Sequence, residues 1–290
     1  MNPLDSLERP IHVVVGGATD TGRKRRENQD SFLAVDLSPP LGEPRFLLAP
    51  QTPAERDGGF ALGLKGALLL VADGMGGAAG GALASRMAVE AIAQDLATRW
   101  CAERSSSPQL FGARLREAVE LANAAIHNHA AHDARLRGMG STATAVGLLE
   151  NYLYLAHVGD SRAYLIRRRE PVQLTRDQSL VQELVASGAL TEQEAETSPH
   201  RNVLLQALGT ARSVRVEVGY HELHRGDVIA LCSDGLYRVV QHDEIAHALG
   251  AADDLAAACT ALVELANERG GPDNVTVLAA RLHGDGLRPA

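Results

Sequence analysis

The sequence predicts an α+β fold in which two antiparallel β-sheets pack face to face and helices cover both outer surfaces, a four-layer α-β-β-α sandwich. Three observations support this prediction. Two long segments, residues 78–100 and 108–134, have helical composition with apolar residues at helical spacing. Blocks of short segments with strand-like patterns precede and follow them. Tight-turn residues join several of these short segments, which favours antiparallel pairing.

The N-terminal half contains the first predicted strands and the two long helices. Residues 11–15 are rich in β-branched side chains and predict a strand, and an extended pattern resumes after a highly charged segment at residues 20–31. Proline and glycine are frequent in residues 37–66, which we interpret as an irregular insertion between strands. The apolar run at residues 67–72 is typical of a strand that is buried on both faces. Pro108 suits the first turn of the second helix.

The C-terminal half combines further strands with shorter helices. We expect segments at residues 138–146, 152–158 and 163–166 to form an antiparallel meander. The apolar residues of segment 188–209 follow neither helical nor strand spacing, and we interpret this segment as a surface flap. The other predicted elements are a helix at 179–187, strands at 214–218, 227–232 and 275–280, and helices at 243–250 and 253–268. The pattern predicts a single domain over residues 1–290, with its core at about 11–282.

Composition argues against several classes of function. The chain has 290 residues, a formal charge of −8 and a pI near 5.8, so it offers no extended basic surface for nucleic acid. The N-terminus lacks the apolar segment of a secretion signal, and no apolar stretch approaches the length of a membrane span. Three scattered cysteines, Cys101, Cys232 and Cys259, suit a reducing compartment. We therefore expect a cytoplasmic monomer without nucleic-acid or membrane partners.

The end of the buried strand carries the first candidate site residue. Asp73 leaves the core there, and the glycines that follow it leave the backbone open to close approach by a cation or a phosphate. Asp-Gly is also a common way to end a strand, so a plain turn is an equal alternative for this segment alone.

Four further aspartates lie at strand ends or in adjoining loops: Asp30, Asp160, Asp234 and Asp273. Five such carboxylates are difficult to attribute to chance. Histidine or cysteine does not accompany them at ligand spacing. Oxygen ligands without nitrogen or sulfur favour Mg²⁺ or Mn²⁺ over Zn²⁺.

Taken in order, these motifs resemble those of the metal-dependent protein phosphatase 2C (PPM-type) family of serine/threonine phosphatases, in its bacterial form. The resemblance runs from about Thr19 to Arg281. One such motif would be weak evidence, but six in the same order are specific. The matching blocks are Asp20-Thr21-Gly22 through Asn28-Gln29-Asp30, Val71 to Gly77, Gly138 to Ala145, Val158 to Arg162, Ser233-Asp234-Gly235 and Asp273 to Thr276.

The resemblance implies a site for two Mn²⁺ or Mg²⁺ ions and a third, weaker ion. The implied metal ligands are Asp30, Asp73, Gly74, Asp160, Asp234 and Asp273. Asp73 is expected to bridge two ions, and the carbonyl of Gly74 to bind one of them. Asp30 is expected to support the pair partly through water, and Asp160 corresponds to a ligand of the third ion. Arg25 corresponds to the phosphate-binding arginine, because a planar guanidinium can bind two phosphate oxygens at once.

The implied reaction is hydrolysis of phosphoserine and phosphothreonine in proteins. Two divalent ions would lower the pKa of a bridging water, which attacks phosphorus in line with the leaving oxygen. Arg25 and Asp73 are the expected catalytic residues. A covalent intermediate is not needed, so the cysteines should be dispensable. The expected partners are phosphorylated protein substrates and a Hanks-type serine/threonine kinase.

Three residues depart from the family pattern. Gln29 stands where many relatives have glutamate, so one metal site is expected to bind more weakly. Met75 replaces a histidine of eukaryotic relatives that is a candidate general acid, which leaves water to protonate the leaving group. Gln178 stands where relatives usually have histidine. Three histidines that share a predicted helix are expected to be solvated rather than metal-binding: His127, His129 and His132.

Two alternative functions remain open at this point. The first is a pseudophosphatase that uses the fold as a regulatory binding module; retention of the aspartates and Arg25 argues against it. The second is a metal-dependent hydrolase of small phosphoesters such as nucleotides. The flap at 188–209, with Asp160 nearby, is expected to gate access to the site.

Overall fold

Two antiparallel sheets face each other, which confirms the predicted sandwich. The structure is a computed structural model and describes residues 10–38, 44–49 and 59–290. In spatial order, sheet I consists of β10 (Glu170–Gln173), β9 (Arg162–Arg167), β13 (Val228–Cys232), β14 (Val275–His283), β1 (His12–Asp20) and β4 (Gly59–Ala61). Sheet II consists of β11 (Glu217–Glu222), β8 (Tyr152–Val158), β7 (Ala143–Leu149), β5 (Ala67–Met75), β2 (Asp30–Asp36) and β3 (Arg45–Leu48), with β6 (Gly140–Ser141) added to β5. A separate parallel pair joins β12 (His224–Arg225) to β15 (Arg288–Pro289).

Helices cover the outer face of each sheet. In chain order, the α-helices of the described residues are α1 (Ala78–Asp95), α2 (Pro108–His132), α3 (Leu180–Ala186), α4 (Glu192–Thr197), α5 (Asp234–Tyr237), α6 (His242–Ala251) and α7 (Leu255–Glu268). Helices α1 and α2 pack on sheet II, whereas α6 and α7 pack on sheet I. The side chain of Ser107 caps α2 by accepting a hydrogen bond from the N–H of Leu110, and Asp254 caps α7 in the same way.

Successive side chains of strand β5 pack alternately into two apolar layers, one on each face of sheet II. Leu68 and Leu70 pack among the residues beneath α1 and α2, whereas Leu69 and Val71 pack between the two sheets. This alternation follows from the two-residue period of a strand. All four side chains are buried, which confirms the prediction of a strand covered on both faces.

The predicted three-stranded meander is wrong. Strands β7 and β8 pair as expected, but β9 lies in sheet I between β10 and β13. The chain crosses between the sheets at Gly159, whose φ of +108° favours glycine. Residues 163–166 are all buried, and a place inside sheet I covers both faces of this strand. The strand predicted at 214–218 is also displaced, since β11 spans Glu217–Glu222 in its pairing with β8.

Three further segments refine the prediction. Within the predicted insertion at 37–66, β3 and β4 form edge strands, and residues 39–43, 50 and 51–58 lie outside the described residues. The helix predicted to reach residue 100 ends at Asp95 and continues as a π-helical turn over Leu96–Trp100. The flap at 188–209 contains α4, which begins with a capping box between Thr191 and Glu194. Of the helices in the described residues, none is long and apolar enough to cross a membrane.

Candidate active site

Two carboxylates meet at one end of sheet II. Asp30 begins β2 and Asp73 lies near the end of β5, and the antiparallel register places these residues opposite each other. Thr142 fixes the backbone of Asp73, because its hydroxyl accepts from the Asp73 N–H at 2.9 Å and its own N–H donates to the Asp73 carbonyl at 2.8 Å. On the other side, the N–H of Gly74 donates to the carbonyl of Gln29 at 3.1 Å, so hydrogen bonds hold the end of β5 on both sides.

Sheet I contributes the other half of the site. Asp234 follows β13 as the first residue of α5, and Asp273 lies just before β14. The two sheets together form a pocket of about 380 Å³ at this end of the sandwich. Six of the seven site residues predicted from the sequence line this pocket: Arg25, Asp73, Gly74, Asp160, Asp234 and Asp273. The seventh residue, Asp30, is buried beneath it.

Asp30 is held by hydroxyl groups from sheet I. Its Oδ2 accepts hydrogen bonds from the hydroxyls of Ser233 at 2.6 Å and Thr276 at 2.7 Å. Its Oδ1 is buried without a hydrogen-bond partner. Burial raises the pKa of Asp30 to about 7; the two hydroxyl hydrogen bonds oppose this shift, and the charges of Asp234 and Asp273 add to it.

Asp73 has the most unfavourable electrostatic position of the cluster. Burial raises the pKa of its carboxyl well above the usual range, and the charges of Asp30, Asp234, Asp160 and Asp273 raise it further. Such mutual repulsion is relieved either by a proton or by a cation.

Asp234 supplies a second buried oxygen, Oδ1, that lacks a hydrogen-bond partner. Burial raises the pKa of Asp234, and the neighbouring Arg238 opposes that shift. Buried oxygens of this kind, with a backbone carbonyl close by, are the donor set that Mg²⁺ and Mn²⁺ prefer. The residues therefore fit such an ion chemically. In the described part of the chain, however, no three acidic, histidine or cysteine side chains already converge as a finished set of metal ligands.

Two arginines border the carboxylates. Arg25 donates through Nη2 to Oδ2 of Asp273 at 2.7 Å, and its side chain remains 53% exposed. The hydrogen bond to Asp273 raises the pKa of Arg25. Arg238 pairs with Asp234 at 2.9 Å and lies 3.5 Å from Asp160. Arg25 thus faces the open pocket with a guanidinium suited to phosphate, while Arg238 lies deeper.

Asp160 is positioned by the crossing turn between the sheets. Gln178 accepts from the N–H of Gly159 through its side-chain oxygen at 3.1 Å and donates its own N–H to the Gly159 carbonyl at 2.8 Å. The buried ring of His157 contacts the same carbonyl through Nε2 at 3.0 Å. Burial lowers the pKa of His157 to about 4 and raises that of Asp160 to about 7. Gln178 therefore holds the turn that precedes Asp160, a role that the sequence alone did not predict.

The glycines after Asp73 permit a close approach of backbones. A Cβ on Gly74 would lie 2.1 Å from the carbonyl oxygen of Gly81 in α1, so a larger residue would force α1 away from β5. Gln29 braces this region, since its side-chain amide donates to the carbonyl of Gly77 at 2.9 Å. Gly74 is thus required for packing, in addition to any contact made by its carbonyl. The expected weakening of one metal site by Gln29 stays a prediction.

Other sequence candidates lie apart from the pocket. His127 contacts the carbonyl of Gly209 through Nδ1, and His132 contacts the carbonyl of Asn128 in its own helix. Within the described residues they belong to no metal-ligand group with His129. All three cysteines are free thiols, and they do not line the pocket.

The sequence interpretation missed the residues that support the site: Thr142, Ser233, Arg238, Asn274 and Thr276. Thr142, Ser233, Asn274 and Thr276 lie inside the quoted motifs, and their hydroxyl and amide groups could have identified them as hydrogen-bonding residues. Arg238 follows Asp234 by four residues, a spacing at which helical side chains meet.

An α+β sandwich with carboxylates and an exposed arginine at one end of its two sheets is the arrangement of a metal-dependent phosphatase. The chain belongs to the protein phosphatase 2C family, whose sequence model matches residues 56–281.

Known relatives agree with this assignment. Over 213 residues, the chain is 40% identical to the serine/threonine protein phosphatase PstP of Mycobacterium tuberculosis. The matched region makes up 73% of this chain and 40% of PstP, which is the longer protein. It is 37% identical over 210 residues to the protein phosphatase PhpP of Streptococcus pneumoniae, covering 72% of this chain and 83% of PhpP. Among solved structures, the catalytic domain of PstP in complex with two manganese ions matches with a TM-score of 0.74 and 33% identity, over 94% of this chain and 99% of that one.

Proposed function

We propose that the chain is a metal-dependent serine/threonine protein phosphatase that acts on phosphoserine and phosphothreonine in proteins. The observation that carries this proposal is the meeting of Arg25 with the predicted carboxylates, from both sheets, around a single pocket. The names of the relatives, which are serine/threonine protein phosphatases, support it. We further propose that residues 1–290 form one catalytic domain.

In this proposal, the aspartates hold two divalent ions. Asp73 lies at the centre of the carboxylates and would contact both ions, with the Gly74 carbonyl on one of them. Asp234 and Asp273 would complete the set from sheet I, and Asp30 would support it from below. The unpartnered oxygens of Asp30 and Asp234 support these roles, as does the manganese complex of the relative's catalytic domain. Both Mn²⁺ and Mg²⁺ suit these oxygen donors.

When bound, such ions lower the pKa of a coordinated water and offset the charge of a phosphoryl group. The chain supplies the positioning. Arg25, exposed at the rim and oriented by Asp273, would bind two oxygens of the substrate phosphate. Met75, which lines the pocket without a titratable group, cannot act as a general acid, so water would protonate the leaving oxygen. A third, weaker ion, which the family resemblance implies beside Asp160, would have to compete there with Arg238, which lies 3.5 Å from Asp160.

The cysteines bear on the biological setting. Three free cysteines suit a reducing compartment, and on that ground we place the protein in the cytoplasm. We also propose that it is a monomer. We expect a Hanks-type serine/threonine kinase to phosphorylate the proteins that this enzyme dephosphorylates. Asn202 and Leu204 line the pocket, so the flap is expected to influence which peptides enter.

The proposal is tested by measuring phosphate release from matched phosphoserine, phosphothreonine and phosphotyrosine peptides, with Mn²⁺, with Mg²⁺ and with a chelator. We expect turnover of the serine and threonine peptides that depends on the metal, and its loss in Asp234→Asn. Absence of turnover under every condition would indicate a binding module. Turnover of nucleotides or other small phosphoesters without turnover of phosphopeptides would indicate the small-molecule hydrolase.

A further inference from the structure

Arg238 connects the carboxylates of the pocket with the flap. Its Nη2 lies 2.9 Å from Oδ2 of Asp234 and 3.5 Å from Oδ2 of Asp160. The same guanidinium donates through Nη1 to the side-chain oxygen of Asn202 and through Nη2 to the carbonyl of Arg201 at 3.5 Å. Arg201 and Asn202 belong to the flap at 188–209. One side chain therefore contacts two aspartates on one side and the flap on the other.

The position of this guanidinium is fixed by its helix. The N–H of Arg238 donates to the carbonyl of Asp234 at 3.1 Å, which places the two side chains one helical turn apart. The side chain of Arg238 is only 24% exposed, and those of Asp160 and Asp234 are 8% and 12% exposed. Ion pairs that are this well shielded are screened little by salt. Within the described residues, Arg238 is also the sole ion-pair partner of Asp160.

A permanent cation at this place has a chemical consequence for Asp160. A carboxylate that already faces a guanidinium attracts a divalent ion less strongly on that side, since the ion and the guanidinium would repel each other. Asp234 faces the same guanidinium through Oδ2, but its other oxygen, Oδ1, is buried without a hydrogen-bond partner and stays available to an ion. A guanidinium carries two N–H groups on each Nη, so Nη2 can face the carboxylates while Nη1 donates to Asn202 in the flap.

We infer that Arg238 supplies, from within the chain, the positive charge that a third divalent ion would bring to Asp160 and Asp234, and that it thereby holds the flap against the site. This inference rests on the proposed function, because it assumes that the remaining carboxylates bind two ions. Arg238 is a positioning residue in this scheme. It acts through Asp160, Asp234 and the flap, and is not assigned a contact with the phosphate.

The test combines metal counting with hydrogen exchange and does not depend on activity. Mn²⁺ bound per folded chain is measured by equilibrium dialysis, and amide exchange is followed at Val203 and Leu205 in the flap. Wild type should bind about two ions. Arg238→Ala should bind about three, and its flap amides should exchange about tenfold faster or more, since charged hydrogen bonds are lost.

Two further variants separate the effect of the positive charge from that of the hydrogen bonds to the flap. Arg238→Lys retains the charge without the forked donors, so it should bind two ions while its flap exchanges faster. Arg238→Gln retains a donor without the charge, so it should bind three ions while its flap exchanges more slowly than in Arg238→Ala. If Arg238→Ala fails to fold, Arg238→Gln is measured in its place. Arg176→Ala is the matched control, because Arg176 forms an exposed ion pair with Glu183, and it should behave as wild type.

The inference is overturned if wild type binds three ions, or if the Arg238 variants match wild type in both metal count and flap exchange. A different result would defeat the proposed function itself: wild type that binds no Mn²⁺ and releases no phosphate from any phosphopeptide. The two failures are therefore distinguishable.

Discussion

Asp30 and Asp73 lie directly opposite each other on neighbouring antiparallel strands, so a buried and a half-buried carboxylate share one end of sheet II. Like charges placed opposite each other destabilise a sheet. The arrangement persists because Ser233 and Thr276 hold Asp30 from sheet I, and Thr142 holds the backbone of Asp73. Two carboxylates placed in this way favour the binding of a cation in the pocket.

Asp73→Asn should abolish turnover and preserve the fold. The amide is nearly isosteric with the carboxylate, but it carries no charge with which to bind two cations. We expect kcat with a phosphothreonine peptide to fall by at least about a hundredfold, the scale observed when one preorganised electrostatic group is removed. Unfolding in urea should show equal or higher stability, because repulsion is relieved. Activity near that of wild type would mean that Asp73 does not have the proposed role.

Removing a hydroxyl that donates to Asp30 should lower the affinity for Mn²⁺ more than it lowers the rate of the catalytic step. Thr276→Val keeps the shape of the side chain but removes a 2.7 Å hydrogen bond to a buried carboxylate. We expect the free energy of unfolding to fall by about 1–3 kcal/mol and Mn²⁺ affinity to fall by about 10- to 100-fold. Denaturant titration and metal titration measure the two effects. Thr260→Val, at an exposed site on α7, should change neither, and equal effects of both variants would contradict the role of Thr276.

Stability in the presence of a chelator should fall as the pH rises. Burial raises the pKa of Asp30 from 3.8 to about 7, so folding favours its protonated form. That contribution is complete below about pH 4 and is lost as the pH rises towards 7, by an amount on the order of 4 kcal/mol. His157 has the opposite slope, because its lowered pKa favours the neutral form and costs stability as the pH falls below 6.5.

The difference between wild type and Asp30→Asn reports Asp30 together with its charge interaction with Asp73, since His157 contributes equally to both proteins. Free energies of unfolding measured from about pH 4 to about pH 7 should decline more steeply in wild type than in the variant. Added Mn²⁺ should reverse the trend for wild type, because the ion competes with protons for the same carboxylates. Parallel curves for the two proteins would show that Asp30 is not the titrating group.

Local signals predicted the sandwich and drew attention to the aspartates, whereas the family resemblance supplied Arg25 and the expected role of each residue. The run 67–72 is apolar at every position, and three of the five aspartates, Asp73, Asp160 and Asp234, lie directly beside a glycine. The pairing of β9 could not be predicted, because a short turn after β8 looks the same whether it closes a hairpin or crosses between sheets. Arg238 was missed for a related reason: its partners Asp160 and Asn202 are distant in sequence, and only the fold brings them together.

Arg25 should contribute to phosphate binding through its geometry as well as its charge. Arg25→Lys retains a cation but loses the second parallel donor, and lysine binds phosphate as a point charge. We therefore expect kcat/KM for a phosphopeptide to fall by about tenfold in the lysine variant and by more in Arg25→Ala, with little change in stability because the side chain is half exposed.

Neighbouring basic residues provide the control for this prediction. Arg23→Ala removes an equally exposed guanidinium that pairs with Asp20, away from the pocket lining, and kcat/KM should stay within about twofold of wild type. Inhibition by inorganic phosphate offers a second measurement, which should weaken in Arg25→Lys and Arg25→Ala but not in Arg23→Ala. If all three variants lost the same activity, the effect would reflect the general positive charge of this segment, and a specific role for Arg25 would be excluded.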